Sequence, residues 1–338
     1  MENETVLLTG ISGYIGLHCA QQLLNEGFQV RGSVRNSAKG KEVRETLSAA
    51  SVDTTNLTIV ELDLTSNRGW DEAASGCDYI MHVASPFAVA NPKNEDEMIG
   101  PAVEGSLRAL RAAQKAGVKR VVLTSSAVAM FGSMKTGTFG PDDWTDTNSS
   151  DISTYTKSKT LAEKAAWEFI ENQSGAEDLE MVSVNPGGVF GPPLGNNITG
   201  VSMTMIDQML RGKMPLVPKV CFPMVDVRDI AKLHVLAMTT PEAVGKRIVA
   251  ADAKGNSFLG MAQILKTAGY KGPSTRTAPN IFLRIMSLFD DETKGMLGFL
   301  GMNLNADNSQ TRSLFGWNPR SFSDSVLDSA VAVKEITA

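Results

Sequence analysis

Tyr155 and Lys159 stand four residues apart at the start of the helix-like run STYTKSKTLAEKAAWEFI. At helical spacing the two side chains share one face and can reach a common site. A phenol has an unperturbed pKa of about 10 and is a poor acid near neutrality. A neighbouring ammonium favours the phenolate and brings Tyr155 toward a useful range. A second polar group, Thr124-Ser125-Ser126, ends the apolar run 120–123. A serine hydroxyl there can hold a substrate carbonyl oxygen together with Tyr155. Residue chemistry alone does not separate Ser125 from Ser126.

The segments before these residues read as a frame able to position them. Residues 5–9 form a short strand pattern ending in Gly10-Ile11-Ser12-Gly13-Tyr14-Ile15-Gly16. A helix pattern follows through Leu17, Cys19, Leu23 and Leu24 to Gly27, and 28–34 is a second strand. Strand, glycine turn, helix and strand in that order make the βαβ unit of a nucleotide-binding fold. The three glycines permit a tight turn and close backbone approach to a pyrophosphate, which the helix N-terminus then binds. Gly10, Ser12, Gly13, Tyr14, Ile15 and Gly16 are the expected cradle.

The end of the second strand selects the dinucleotide. An NAD site needs an acid there for the ribose hydroxyls. This chain has Arg31-Gly32-Ser33-Val34-Arg35-Asn36 and no acid before Glu42. Arg35 and Lys39 are therefore expected at a 2′-phosphate, with Lys39 or Lys41 as the base that could instead be merely solvated. The expected cofactor is NADP(H). A third strand, 57–62, leads to Asp63, which either accepts from the adenine amino group or caps the next helix, and to Leu64, which packs on the ring. A fourth, 78–83, delivers Val83, Ala84, Ser85, Pro86 and Phe87 to the edge where such sheets bind ligands, as the fifth delivers Thr124. A sixth, 179–184, ends in a Pro/Gly-rich turn whose Pro186, Gly187 and Val189 are expected beside a nicotinamide.

Beyond the turn, 192–223 carries Met203, Met205, Met209 and Met214 and reads as a cap, its methionines available for core packing or an adaptable pocket. Residues 225–238 and 246–250 return to strand and helix patterns. The tail from Asp252 reads as short helices and loops without a chemical motif. The expected architecture is α/β: a Rossmann-like doubly wound parallel sheet, 1–189 plus 224–252, with a smaller discontinuous C-terminal substrate lobe, 190–223 plus 253–338. Helices over 96–116 and 153–173 could pair with a second copy, so monomer and homodimer both remain open.

Composition narrows the partners. The 338 residues carry a net charge of -5 and no Lys/Arg block, which argues against nucleic acid and anionic membranes. Cys19, Cys77 and Cys221 are few and scattered, as reduced thiols of a cytoplasmic protein would be. His18, His82 and His234 offer no metal-ligand spacing. The acidic start MENETVLLTG reads as no signal peptide, and the apolar runs are too short for a membrane span.

Taken together, TGISGYIG, VRNSAK, HVASPF, VVLTSS, YTKSKTLAEKAAWEF and VNPGGVFGP resemble the extended short-chain dehydrogenase/reductases over nearly the whole chain. FPMVDVRDIAKLH and DNSQTRSLFGWNPRSF extend the likeness to the C-terminal lobe. Within that family the chain is most similar to the dihydroflavonol reductase-like branch, which includes cinnamoyl-CoA reductases and yeast-type methylglyoxal/carbonyl reductases. The resemblance implies a triad of Ser126, Tyr155 and Lys159, with Tyr155 protonating the carbonyl oxygen as hydride arrives. Lys159 would bind the nicotinamide ribose and lower the Tyr155 pKa. It also implies 2′-phosphate contacts from Arg35 and Lys39, adenine contacts from Asp63 and Leu64, and ribose/pyrophosphate contacts from Ala84 and Ser85. Where dihydroflavonol reductases place an asparagine five residues after the serine, this chain has Phe131. A hydrophobic aldehyde or ketone, walled by Phe87 and Phe131, is therefore expected in place of a flavonoid. Two alternatives share the fold. A sugar-nucleotide epimerase or dehydratase would favour NAD and an acid after the second strand, and a non-catalytic NADP sensor would lack the tyrosine or the lysine.

Overall fold

Val6 and Leu8 of the first strand, β1 (Thr5–Thr9), enter one apolar layer and Leu7 enters another, and all three are fully buried. Because side chains alternate along a strand, this pattern requires cover on both faces. The computed structural model describes residues 4–86, 92–173, 178–289, 294 and 297–338, and it shows where that cover comes from. After β1 come α1 (Tyr14–Asn25), β2 (Gln29–Val34), α2 (Ser37–Ala49), β3 (Leu57–Glu61), α3 (Trp70–Ala74), β4 (Tyr79–His82), α4 (Asp96–Ala116) and β5 (Arg120–Thr124). Next are α5 (Val128–Phe131), β6 (Thr136–Phe139), α6 (Thr154–Glu171), β7 (Glu180–Pro186), β8 (Gly188–Phe190), α7 (Val201–Leu210), β9 (Cys221–Phe222) and β10 (Met224–Asp226). They are followed by α8 (Val227–Thr239), β11 (Arg247–Ala250), β12 (Asn256–Ser257), α9 (Phe258–Thr267), α10 (Asn280–Met286) and β13 (Asn303–Ala306), then helices Ser309–Phe315 and Phe322–Thr337.

Seven strands form one sheet in the order β3-β2-β1-β4-β5-β7-β11, with every pair parallel. Apolar residues of α1, α2 and α8 cover one face, and those of α3, α4 and α6 cover the other. Strand order reverses between β1 and β4, so a crevice opens at their carboxyl ends, where Thr9 lies opposite His82.

Helix α6 carries the two residues of chief interest. Its N-cap, Ser153, accepts a bond from the Thr156 N–H. Its buried face is small and polar, comprising Thr156, Lys159, Thr160, Glu163 and Ala166 among others, which lets the helix lie close to the strand ends. Two buried charges on that face require partners there.

Outside the main sheet the chain forms a four-stranded sheet, β12-β9-β13-β6, and the pair β10-β8. Strand β6 joins two stretches that the sequence reading assigned to different domains: residues 136–139 pair with β13. The cause is Phe139, which is fully buried with Leu304 and Ala306 and packs on Phe131 at 4.9 Å between ring centroids. The tail also holds more regular structure than expected. In Phe322–Thr337, the residues Val326, Ala330 and Val333 recur at helical spacing and are fully buried beside Met203, Met205 and Met209 of α7. Met203 and Met209 are core residues, and Met205, packed in the same layer, also lines the cleft described below.

The three histidines are buried and bonded as neutral rings. His82 Nδ1 meets the Thr9 hydroxyl at 2.9 Å, His234 Nε2 meets that of Thr124 at 2.7 Å, and His18 Nε2 meets the Pro192 carbonyl at 3.0 Å. Burial pulls them down to about 3, about 4 and about 4 respectively. In acid the unfolded chain takes up protons near 6.5 that the folded chain refuses, so stability is full above that value and is lost as pH falls toward 4. Urea unfolding should show a loss approaching about 4 kcal/mol per pH unit in the lower part of that window if all three rings contribute. A flat profile there would mean that the rings charge without unfolding.

Candidate active site

The crevice is a cleft of about 930 Å³ that runs from the glycine turn, past the ends of β4, β5 and β7, to Phe222, Phe258 and Phe299. Gly10 has φ +68°, and a Cβ on it would stand 2.8 Å from Ala84 Cα; one on Gly16 would stand 2.1 Å from the Gly10 carbonyl oxygen. Main chain therefore lies against main chain, a contact no larger residue permits. No side chain caps the first turn of α1, whose N-terminus faces the cleft beside Ser12, Gly13 and Ile15. This cradle suits the pyrophosphate of a dinucleotide. Tyr14 also borders the cleft, but its hydroxyl donates to the Gly191 carbonyl at 2.6 Å, and burial raises its pKa.

Past β2, Ser33, Val34 and Arg35 line the cleft, and Arg35 is exposed. Lys39, one of the two lysines that could instead be merely solvated, is not among the described lining residues. Asn36 caps α2 by accepting from the Lys39 N–H at 3.1 Å, and the Lys39 ammonium pairs with Glu42 at 2.5 Å, one turn along. Asp63 and Leu64 line the cleft past the end of β3. Asp63 does not cap the next helix, whose N-cap is Gly69. One Asp63 oxygen accepts from the Thr65 N–H and hydroxyl, both at 2.7 Å, which holds its carboxyl below the usual range. Val83, Ala84, Ser85, Thr124, Pro186, Gly187 and Val189 form the walls, and the Ala84 N–H donates to the Thr9 hydroxyl at 3.2 Å.

At the far end the two serines part. Ser126 hydrogen-bonds to the Tyr155 hydroxyl, while Ser125 donates to Glu163 Oε2 at 2.6 Å. Lys159 Nζ donates to the Thr124 carbonyl at 3.3 Å. Burial pushes the Tyr155 phenol up to about 12, against the lowering effect of the Ser126 bond. Burial, and not the neighbouring ammonium, sets the direction of that shift. Burial also draws Lys159 down to about 8, with Glu163 opposing, so near neutrality the lysine is chiefly an ammonium and the tyrosine holds its proton.

Phe131 is 1% exposed and lines the cleft as expected; Phe87 lies outside the described residues. Sequence reasoning missed the rest of the aromatic wall. The Phe222 ring lies 6.0 Å from Phe131, 6.1 Å from Phe258 and 6.0 Å from Phe299. These residues come from a two-residue strand, a helix start and a single helical turn, so no periodicity marks them. Among the described lining residues, the charged ones are Arg35, Asp63 and Lys159. No cluster of three or more metal-ligating side chains occurs among the described residues, nor any helix long and apolar enough to cross a membrane.

A family model described as the NAD dependent epimerase/dehydratase family matches residues 6–251. Cinnamoyl-CoA reductase CAD2 of Medicago truncatula is 34% identical, over 72% of this chain and 74% of its own length. The NADPH-dependent methylglyoxal reductase GRE2 of Saccharomyces cerevisiae is 29% identical, over 74% of this chain and 78% of its own. The solved structure of Gre2 from Candida albicans in complex with NADPH matches with a TM-score of 0.80 at 25% identity, covering 99% of this chain and all of that one.

Proposed function

The chain belongs to the NAD-dependent epimerase/dehydratase family, the extended short-chain dehydrogenase/reductases, and on that premise we propose that it reduces apolar aldehydes or ketones to alcohols with NADPH, reversibly. The observation that carries this reading is the Ser126–Tyr155 hydrogen bond, set with Lys159 between a phosphate cradle and an aromatic wall. The glycine turn and the α1 N-terminus hold the pyrophosphate, and Arg35 meets the 2′-phosphate. NADPH supplies the hydride. The Ser126 and Tyr155 hydroxyls hold the carbonyl oxygen, and Tyr155 gives its proton to that oxygen as negative charge develops there. The Lys159 ammonium, fixed on the Thr124 carbonyl, stabilises the phenolate left behind. In the alcohol-oxidising direction the same phenolate takes the proton back.

The aromatic end gives the substrate class. Phe131, Phe222, Phe258 and Phe299 offer contact area and no ionic partner, which suits an uncharged apolar group. A sugar nucleotide would bring a second diphosphate, for which no arginine or lysine other than Arg35 and Lys159 lines the cleft among the described residues. A sensor would have no use for a bonded Ser126–Tyr155 pair. The three unpaired cysteines accord with a cytoplasmic setting.

Loss of reduced-nicotinamide absorbance, followed with apolar ketones and aldehydes beside phosphate-bearing ones, tests this reading. Turnover confined to the apolar set, with NADPH preferred to NADH, is expected. Turnover only of phosphate-bearing compounds, or a tightly retained NAD released on denaturation, would favour the epimerase reading instead.

A further inference from the structure

Glu163 lies one helical turn beyond Lys159 on α6, and its carboxylate is completely buried. An ionised carboxylate in such a place is tolerable only with several donors. Oε1 accepts from Arg247 Nε at 2.7 Å, from the Ser183 hydroxyl at 2.9 Å and from Trp167 Nε1 at 3.3 Å. Oε2 accepts from the Ser125 hydroxyl at 2.6 Å, Asn185 Nδ2 at 2.8 Å and Arg247 Nη2 at 3.4 Å. Apart from Trp167 on α6 itself, these donors come from the residue after β5, from within β7 and from the start of β11, so one carboxylate ties the helix bearing Tyr155 and Lys159 to three strands of the main sheet.

The bonds converge on Ser126. Ser125 is its chain neighbour, and Asn185 Nδ2 also donates to the Ser126 carbonyl at 3.3 Å. Arg247 is itself held, with Nη1 on the Pro141 and Asp143 carbonyls at 2.7 and 2.6 Å and its guanidinium 3.7 Å from the centre of the Trp144 ring. Apolar residues of similar volume could fill such a place at no loss of stability. An ionic cluster here thus points to a task beyond packing.

Lys159 shows what that task is. The groups around it are Tyr155 and Glu163 on α6, neutral His82 from β4 and the Thr124 carbonyl from β5; His234 of α8 holds the Thr124 hydroxyl, and Arg247 of β11 lies behind Glu163. In this set the carboxylate of Glu163 is the one anion. We propose that Glu163 is a positioning residue of the reaction, holding the Ser126 strand end against Tyr155 and supplying the negative charge that the buried Lys159 ammonium faces. The inference rests on the reductase reading for its kinetic consequence, and its electrostatic part can be read without turnover.

The test compares wild type, Glu163→Gln and Glu163→Asp by the pH profile of kcat/KM and by NADPH affinity against pH, the latter from nicotinamide fluorescence. In wild type both should decline above about pH 8, as Lys159 loses its proton. Glu163→Gln removes the anion and leaves Arg247 uncompensated, and each change disfavours the ammonium. Both declines should therefore move about one pH unit lower, with kcat near neutrality down about tenfold. Glu163→Asp keeps the charge but shortens the reach, so kcat should fall while the declines stay at their wild-type pH. A merely structural residue would lower the unfolding midpoint of both variants and move neither profile. Glu163→Gln with unshifted profiles and wild-type kcat would overturn the inference. If that variant does not fold, wild-type kcat in Glu163→Asp would do the same. A wild type that reduces no carbonyl, combined with a shifted NADPH-binding profile in Glu163→Gln, would remove the reductase reading and keep the coupling of Glu163 to Lys159.

Discussion

Tyr155→Phe is expected to lower kcat for carbonyl reduction by about 10²- to 10⁴-fold and to leave NADPH affinity within about twofold of wild type. The ring fills the same volume, so packing around α6 is kept, and what disappears is the hydroxyl that hydrogen-bonds to Ser126. Burial holds that phenol near 12, so wild-type Tyr155 carries its proton throughout the neutral range. Phenylalanine has none to give. Kinetics under saturating NADPH, with binding followed separately by fluorescence, separate loss of the acid from loss of the cofactor. Near-wild-type turnover in the variant would show that Tyr155 is not the proton donor.

Arg35→Glu is expected to raise the KM for NADPH by about 100-fold and to change that for NADH by less than about threefold, narrowing or reversing the preference. Among the described lining residues the guanidinium is the one cationic group at the β2 end of the cleft, so its replacement both removes a phosphate partner and adds a repelling charge. Because Arg35 is exposed, the effect should shrink as salt is added. Lys39→Ala serves as the internal comparison: its ammonium is engaged with Glu42, and a change of less than about threefold for either cofactor is expected. Equal losses for NADPH and NADH in Arg35→Glu would take Arg35 away from the 2′-phosphate.

These two variants also mark where the sequence was informative. Signals that travel along the chain were readable: the Gly10–Gly16 turn between a strand and a helix, the i,i+4 pair Tyr155 and Lys159, and the polar ends of apolar strands. Each depends on local spacing, which backbone geometry converts directly into direction. At Lys39 the sequence left two roles open, and the structure places its ammonium on Glu42, a pairing that strand-end spacing does not disclose. Strand β6 was not legible because its partner, β13, lies more than 160 residues away, and nothing in Thr136–Phe139 names that partner. The same holds for Phe222, Phe258 and Phe299, brought together only by tertiary packing. Glu163 reads in sequence as one more charge on an amphipathic helix. Its burial follows from Arg247, 84 residues later, which no local pattern could reveal.

The central claim is hydride transfer to an apolar carbonyl with Tyr155 as the acid, and isotope transfer tests it most directly. NADPH carrying deuterium at its transferable ring position is incubated with the chain and the best apolar ketone of the panel, and the alcohol is examined by mass spectrometry and NMR. One deuterium on the carbinol carbon per NADPH consumed is predicted in wild type, with the rate of transfer collapsing in Tyr155→Phe. Product formed without the label, or label returned to the nicotinamide with the ketone unreduced, would contradict the account.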